Sequence, residues 1–222
     1  YSIRTKSVPA QICDDKIIEI QAMRHPLLIG QVENIVANDF ELGKSYNSLL
    51  ITGSNTGGKT VTLKTAGLLT LMTQAGLHIS ALGANIYPFD AVLADISEEQ
   101  SISQNLSTFS AHIKNISSII DNSTPNSLVL FDELGAGTDP EEGAALARAI
   151  LEYLSKNDTL CVSTTHLGEL KILKYENDKF ENASVEFNLD TLKPTYKLLL
   201  GIAGSSNALD IASNLNLKEE IT

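Results

Sequence analysis

The chain has 222 residues, 43% of them hydrophobic and 19% charged, which describes a globular domain with one sizeable core and excludes a disordered segment. With 16 Lys and Arg against 27 Asp and Glu, the formal net charge is −11. Nucleic-acid affinity comes largely from neutralising phosphates, so this chain alone makes a poor nucleic-acid surface, and any such partner must be gripped by a part of the protein lying elsewhere.

The N-terminal stretch "YSIRTKSVPAQ" lacks the apolar core of a signal peptide, and no run in the chain approaches the roughly 18 apolar residues that span a bilayer. Cys13 and Cys161 stand far apart without a partner motif, so neither a disulfide framework nor a zinc site is indicated and a reducing cytoplasm is expected, with no membrane partner. Residues 1–40 read as a lead-in of short apolar alternations, turns and a Pro stop, and 41–222 as the main domain. "SLLIT" (48–52) is a buried strand ended by Gly53. The segment from Lys59 has apolar residues at helical spacing and Gly76 as its stop. "NIYPFDAVLADI" (85–96) reads as a strand, and 107–122 as an amphipathic helix striped by Phe109, Ile113, Ile116, Ile119 and Ile120.

"SLVLFDE" (127–133) is a continuous apolar run ending in two acids. The following helix (139–157) carries a strong start signal: Asp139 as N-cap, Pro140 in the first turn, then two glutamates near the positive helix end. "TLCVSTTH" (159–166) is another buried strand, and the tail predicts two antiparallel strands and a short helix. Strands that alternate with helices and are apolar throughout predict an α/β fold, a mostly parallel sheet covered on both faces.

Four places are candidates for chemistry. "GSNTGGKT" (53–60) fits G-x-x-x-x-G-K-[ST] between a strand and a helix, the P-loop pattern. Glycines let the backbone of Gly53, Ser54, Asn55, Thr56, Gly57 and Gly58 turn tightly, so that N–H groups through Val61 converge on a phosphate. Lys59 supplies a point charge to the β- and γ-phosphates, and the Thr60 hydroxyl is a ligand for Mg²⁺. "LVLFDE" supplies the second half of such a site: Asp132 emerges at a strand's C-terminal end to hold the metal, and Glu133 is set to orient or deprotonate the attacking water. Taken alone, that acid pair reads equally as a solvated turn; together with the P-loop it reads as a hydrolysing ATPase rather than a GTPase switch. His166, ending a strand, has a bland reading as a turn or cap residue. Ser107 with Thr108 reads as the N-cap of its helix, which is compatible with a phosphate contact.

In order along the chain, "ITGSNTGGKTVTLKTAGL", "SEEQSISQNLSTFSAH", "LVLFDELGAGTDPEEGAALARAIL", "STTHLGELK" and "NASVEFNLDTLKPTYKLLLGIAGSSNALDIA" resemble the MutS family ATPase domain. The likeness runs from about Arg24 onward, and "NTGGKT", "GAGTDPEEG" and "SSNALDIA" look like the bacterial type-two subfamily. The resemblance implies an ABC-type P-loop ATPase using ATP and Mg²⁺ at sites shared by a homodimer. Residue by residue, it implies that Ser107 reaches the γ-phosphate of the opposing subunit, that His166 senses that phosphate, that Glu133 is the catalytic glutamate, and that "GAGTDPEEG" crosses the dimer interface. "NIVAN" (34–38) is similar to the segment that cradles adenine, which offers Ile35 and Val36; a place in a core strand is the other reading of both. Ser54 stands where the family usually has proline, at some cost in loop rigidity but none in backbone phosphate contacts.

The resemblance further implies lever and clamp helices and a C-terminal small MutS-related (Smr) nuclease domain outside these residues, so no nuclease activity is expected here. It implies a clamp acting on branched DNA, in recombination suppression, or on stalled or collided ribosomes through rRNA. Two rivals stand beside the ATPase: a nucleotide-gated dimerisation module with little turnover, and an ABC-type ATPase subunit of another complex. "NLSTF" in place of an LSGGQ-like signature opposes the latter.

Overall fold

The structure, a computed structural model, describes residues 1–53, 57–96, 105–188, 191 and 193–204, with the backbone alone at 105–108. In chain order its elements are α1 (Ser2–Thr5), β1 (Gln11–Ile12), β2 (Ile18–Met23), β3 (Asn38–Leu42), β4 (Ser48–Thr52), α2 (Lys59–Gln74), β5 (Gly83–Ile86) and β6 (Ala91–Asp95). There follow α3 (Asn105–Asn122), β7 (Ser127–Phe131), α4 (Pro140–Lys156), β8 (Leu160–Thr165), α5 (Leu173–Glu176), β9 (Phe180–Asn188) and β10 (Lys193–Leu200).

Among the described residues, six strands form one sheet in the order β10-β9-β4-β8-β7-β6. All its neighbours are parallel except β10, which returns antiparallel along β9. Its central strands alternate between two cores. Leu49 and Ile51 of β4, Leu128 and Leu130 of β7, and Leu160 and Val162 of β8 face the core that includes Leu63, Ala66 and Leu69 of α2. Leu50, Val129, Phe131 and Cys161 face the other way, onto Ala147, Leu151 and Leu154 of α4 and Ile116 and Ile119 of α3. Every residue of β4, β7 and β8 is buried, as a parallel sheet covered on both faces requires. The α/β architecture with a mostly parallel sheet flanked by helices is the one the sequence predicts.

A second sheet, in the order β1-β5-β2-β3, closes the first core from outside with Ile18, Ile20, Phe40, Leu42 and Ile86. Here the sequence expectation needs correction. The predicted strand 85–96 is two strands belonging to different sheets, parted at Tyr87–Asp90, where Pro88 lacks the N–H a continuous ladder needs. The helix predicted to open at Ser107 is already helical at Asn105, so Ser107 and Thr108 lie in its first turn rather than ahead of it. The short helix expected near the C-terminus lies outside the described residues.

α4 begins as expected: the Asp139 carboxylate accepts from the amides of Glu141 and Glu142, and Pro140 opens the helix. Its first turn is packed backbone to backbone against the loop after β7. A methyl built at Gly143 would stand 2.2 Å from the Gly135 carbonyl oxygen, and Gly135 itself has φ +84°. Replacing Gly143 by Ala should therefore destabilise the domain by about 3 kcal/mol, the upper end for overpacking. Urea unfolding measures it; an unchanged midpoint would mean that loop and helix separate without cost.

Candidate functional site

The parallel register brings the C-terminal ends of the strands to one edge. Thr52 pairs with Thr165 and with Ser184, and Phe131 with Ser163 and with Asp95. Gly53, Asp132, Glu133 and His166 follow directly on these strands, so four sequence-predicted positions converge on one line, where open α/β sheets bind ligands.

Gly53, at φ +130°, turns the chain out of β4, and Gly58, at φ +96°, turns it into α2. Only a residue without Cβ takes such angles freely. Gly58, the N-cap of α2, makes no side-chain cap bond, and a helix N-terminus presents amides suited to an anion. Ser54, Asn55 and Thr56 lie outside the described residues. Lys59 is buried, 2% exposed, and its Nζ donates to the Gly53 carbonyl at 2.7 Å, across the mouth of the loop. Burial pulls the Lys59 ammonium below the usual lysine range, while Glu133 and Asp132 act to raise it.

Asp132 is 5% exposed, with its amide bonded to the Asp95 carbonyl. Its Oδ1 accepts the Thr60 hydroxyl at 3.0 Å and the Thr164 hydroxyl at 2.6 Å. Glu133, half-buried, takes φ +53°, an uncommon angle for a residue with a side chain, and its amide donates to Thr164 Oγ1 at 2.9 Å. The acids therefore do not form a solvated turn. The Thr60 and Asp132 oxygens are hard donors side by side, and no group of three or more His, Cys, Asp or Glu among the described residues could hold an ion alone. That set fits Mg²⁺, which is commonly held by one or two protein oxygens together with substrate phosphates and water.

His166 is exposed at the end of β8. The backbone at Ser107 is helical, and its side chain is outside what the structure describes. Farther along α3, His112 Nδ1 lies 2.7 Å from Asp95 Oδ2 and Asn115 donates to Asp95 Oδ1, which ties the helix to the edge strand beside Asp132.

A cavity of about 260 Å³ adjoins Gly58 and is lined by Ile35, Val36, Val61, Thr62 and His25 among others. Ile35 and Val36 precede β3 and belong to no strand, so the core-strand reading of them falls. Burial, and Lys64 nearby, hold the His25 ring below its ordinary value, which favours its neutral form beside the cavity. Sequence reasoning missed the aromatic member, Tyr196. The pairing of β9 with β10 shifts register between Pro194 and Leu198, and Tyr196 takes φ +61° in that bulge. Asn38 clamps the bulge, donating to the Tyr196 carbonyl at 2.9 Å and accepting from the Leu198 amide at 2.8 Å. The Tyr196 ring lies over Gly58, where an added Cβ would stand 3.0 Å from it. A Pro inside a strand pattern was the available signal, since it marks edges and bulges.

The start of α2 thus joins the Thr60–Asp132 pair to the largely apolar cavity beside Gly58. The sequence matches the family described as MutS domain V over residues 49–222. The chain belongs to the MutS family. It is 56% identical over 206 residues to the endonuclease MutS2 of Caldicellulosiruptor bescii, covering 92% of this chain and 26% of the relative. It is 53% identical over 222 residues to that of Bacillus velezensis (100% and 28%) and 52% identical over 221 to that of Clostridioides difficile (99% and 28%). The chain spans about a quarter of the length of these curated relatives. It is the ATPase domain of the type-two MutS subfamily, and nucleotide binding follows from that membership.

Tyr196→Ala should weaken ATP binding about tenfold or more, the range for losing an aromatic face under a base. Competition by inorganic tripolyphosphate, which lacks a base, should be unchanged. Equal loss of both ligands would show that the substitution disturbs the phosphate loop instead.

Proposed function

We propose that this MutS-family domain hydrolyses ATP with Mg²⁺, in sites completed across a homodimer. The observation that carries the reading is the Thr60–Asp132 hydroxyl–carboxylate pair at 3.0 Å, flanked by Lys59 and Glu133. Ile35, Val36, Val61 and Tyr196 hold the base. The amides from Gly53 to Val61 and the Lys59 ammonium hold the triphosphate; Thr60 and Asp132 hold the cation. Mg²⁺ held there would supply charge neutralisation to the phosphate oxygens. The Glu133 carboxylate orients a water and accepts its proton as the water oxygen bonds to the γ-phosphorus and the bond to the bridging oxygen breaks, giving ADP and phosphate. In this scheme His166 registers the γ-phosphate, and Ser107 of the partner subunit covers the open face.

In the whole protein this cycle drives a clamp on branched DNA or on stalled or collided ribosomes. The relatives bear an endonuclease name, and that activity is read here as belonging to the parts beyond this domain. The charge of −11 supports the division: an acidic engine, with nucleic acid held elsewhere.

Glu133→Gln should retain Mg-ATP binding while lowering kcat by about 10²-fold or more. Phosphate release and nucleotide titration measure both. Loss of binding would make Glu133 a ligand or a structural residue, and a wild type without turnover would leave a nucleotide-gated dimerisation module.

The shared site has its own test. Ser107→Arg and Lys59→Ala should each be inactive alone, and their mixture should recover partial hydrolysis from the one composite site that joins an intact loop to an intact Ser107. A mixture that stays inactive although mixed dimers form, or full activity of Ser107→Arg alone, would remove Ser107 from the site.

A further inference from the structure

The Thr164 hydroxyl lies at the junction of the two acids and has no role in the scheme above. β8 is a central strand, and a β-branched residue at 164 needs no explanation as packing. Its hydroxyl does, because valine would fill the same space without a polar atom to satisfy. Thr164 is fully buried, with 0% exposure. Its oxygen accepts the Glu133 amide at 2.9 Å, and a hydroxyl has one proton, which therefore points to Asp132 Oδ1 at 2.6 Å. Its backbone carbonyl accepts the Leu134 amide at 2.9 Å. One residue of β8 thus holds three consecutive residues beyond the end of β7.

Two consequences follow. Asp132 Oδ1 receives two hydroxyl protons, from Thr164 and from Thr60, which fixes the carboxylate and leaves the Thr60 lone pairs for a cation. Glu133 is held at φ +53°, an angle that is disfavoured for a residue with a side chain and persists only where neighbours impose it. The geometry points to Thr164 as the positioning residue for both acids: through one hydroxyl it sets the metal-side carboxylate of Asp132 and the backbone that aims Glu133. This inference rests on the ATPase reading for its effect on turnover, but not for its effect on the two acids themselves.

The test compares Thr164→Val, which keeps the shape and removes the hydroxyl, with Thr164→Ser, which restores it. In the nucleotide-free protein, exchange of the Glu133 amide should quicken about tenfold or more in Thr164→Val, as expected for a lost buried hydrogen bond. The Leu134 amide, bonded to the backbone oxygen that valine preserves, should keep its protection and so report that β8 is intact. The Mg²⁺ concentration that half-maximally tightens nucleotide binding should rise about tenfold, as on removal of partners behind a metal ligand, with the Mg²⁺-free affinity unchanged. Hydrolysis should fall by a similar or larger factor, and serine should restore all three. Wild-type exchange at Glu133 and an unmoved Mg²⁺ midpoint in Thr164→Val would overturn the assignment. So would a folded Thr164→Ser no better than valine, because packing and not the hydroxyl would then matter. Absence of turnover in the wild type would instead count against the ATPase reading, leaving amide exchange and the Mg²⁺ midpoint to decide the role of Thr164.

Discussion

A carboxylate buried at the centre of a sheet edge must be hydrogen-bonded or lose its charge, and Asp132 meets that requirement with hydroxyls from two other elements. Thr60 comes from the first turn of α2, Thr164 from β8. The bonds join β7 to both halves of the phosphate loop's surroundings, because β8 is hydrogen-bonded to β4, the strand that leads into the loop. Shifting β8 by one residue against β7 would move the Thr164 hydroxyl to the opposite face and leave Asp132 buried without it. The register Thr52–Thr165 and Phe131–Ser163 therefore holds the functional edge as well as the core.

Two of the non-glycine residues in the left-handed region are Glu133, just beyond β7, and Tyr196, whose ring lies against Gly58. Each is held by a side chain from another strand: Thr164 takes the Glu133 amide, and Asn38 takes the Tyr196 carbonyl together with the Leu198 amide. The pattern is the same at both places: backbone that local sterics disfavour is fixed by a polar side chain at long sequence separation.

That pattern also explains what could be read from the sequence. The phosphate loop, the acid pair and the parallel strands were legible because each is a local signal: glycine spacing, four apolar residues before two acids, helices with caps and stops. Asp139 and Pro140 marked the start of α4 for the same reason. Thr164 and Asn38 carry no such local mark, and Tyr196 has only the nearby Pro194. Thr164 looks like any β-branched strand residue, and its partners are 31 and 32 positions away; Asn38 meets its partners 158 and 160 positions away. The second sheet was hidden in another way, because β5 pairs with strands formed from residues 11–23, while the adjoining β6 belongs to the main sheet. Apolar patterning through 85–96 runs across that change, and Pro88 was the one residue that marked it.

The charges at the site bear on how a triphosphate can enter. Lys59 is buried beside Asp132 and Glu133, one cation against two carboxylates, and burial weakens its hold on its proton while they strengthen it. Lys59 Nζ already lies on the Gly53 carbonyl, so the charge meant for phosphate is stored against the loop that phosphate must fill. A polyanion arriving alone would meet two acids at close range, and the amide donors of the loop are neutral. On the proposed reading, a triphosphate that brought a divalent cation would reverse that balance: Asp132 would become the cation's partner, and Lys59 would be drawn from Gly53 onto phosphate oxygen. On this reading the acids select for the metal complex of the nucleotide before any chemistry begins, and Thr60, whose hydroxyl already points its proton at Asp132, is in place to receive it.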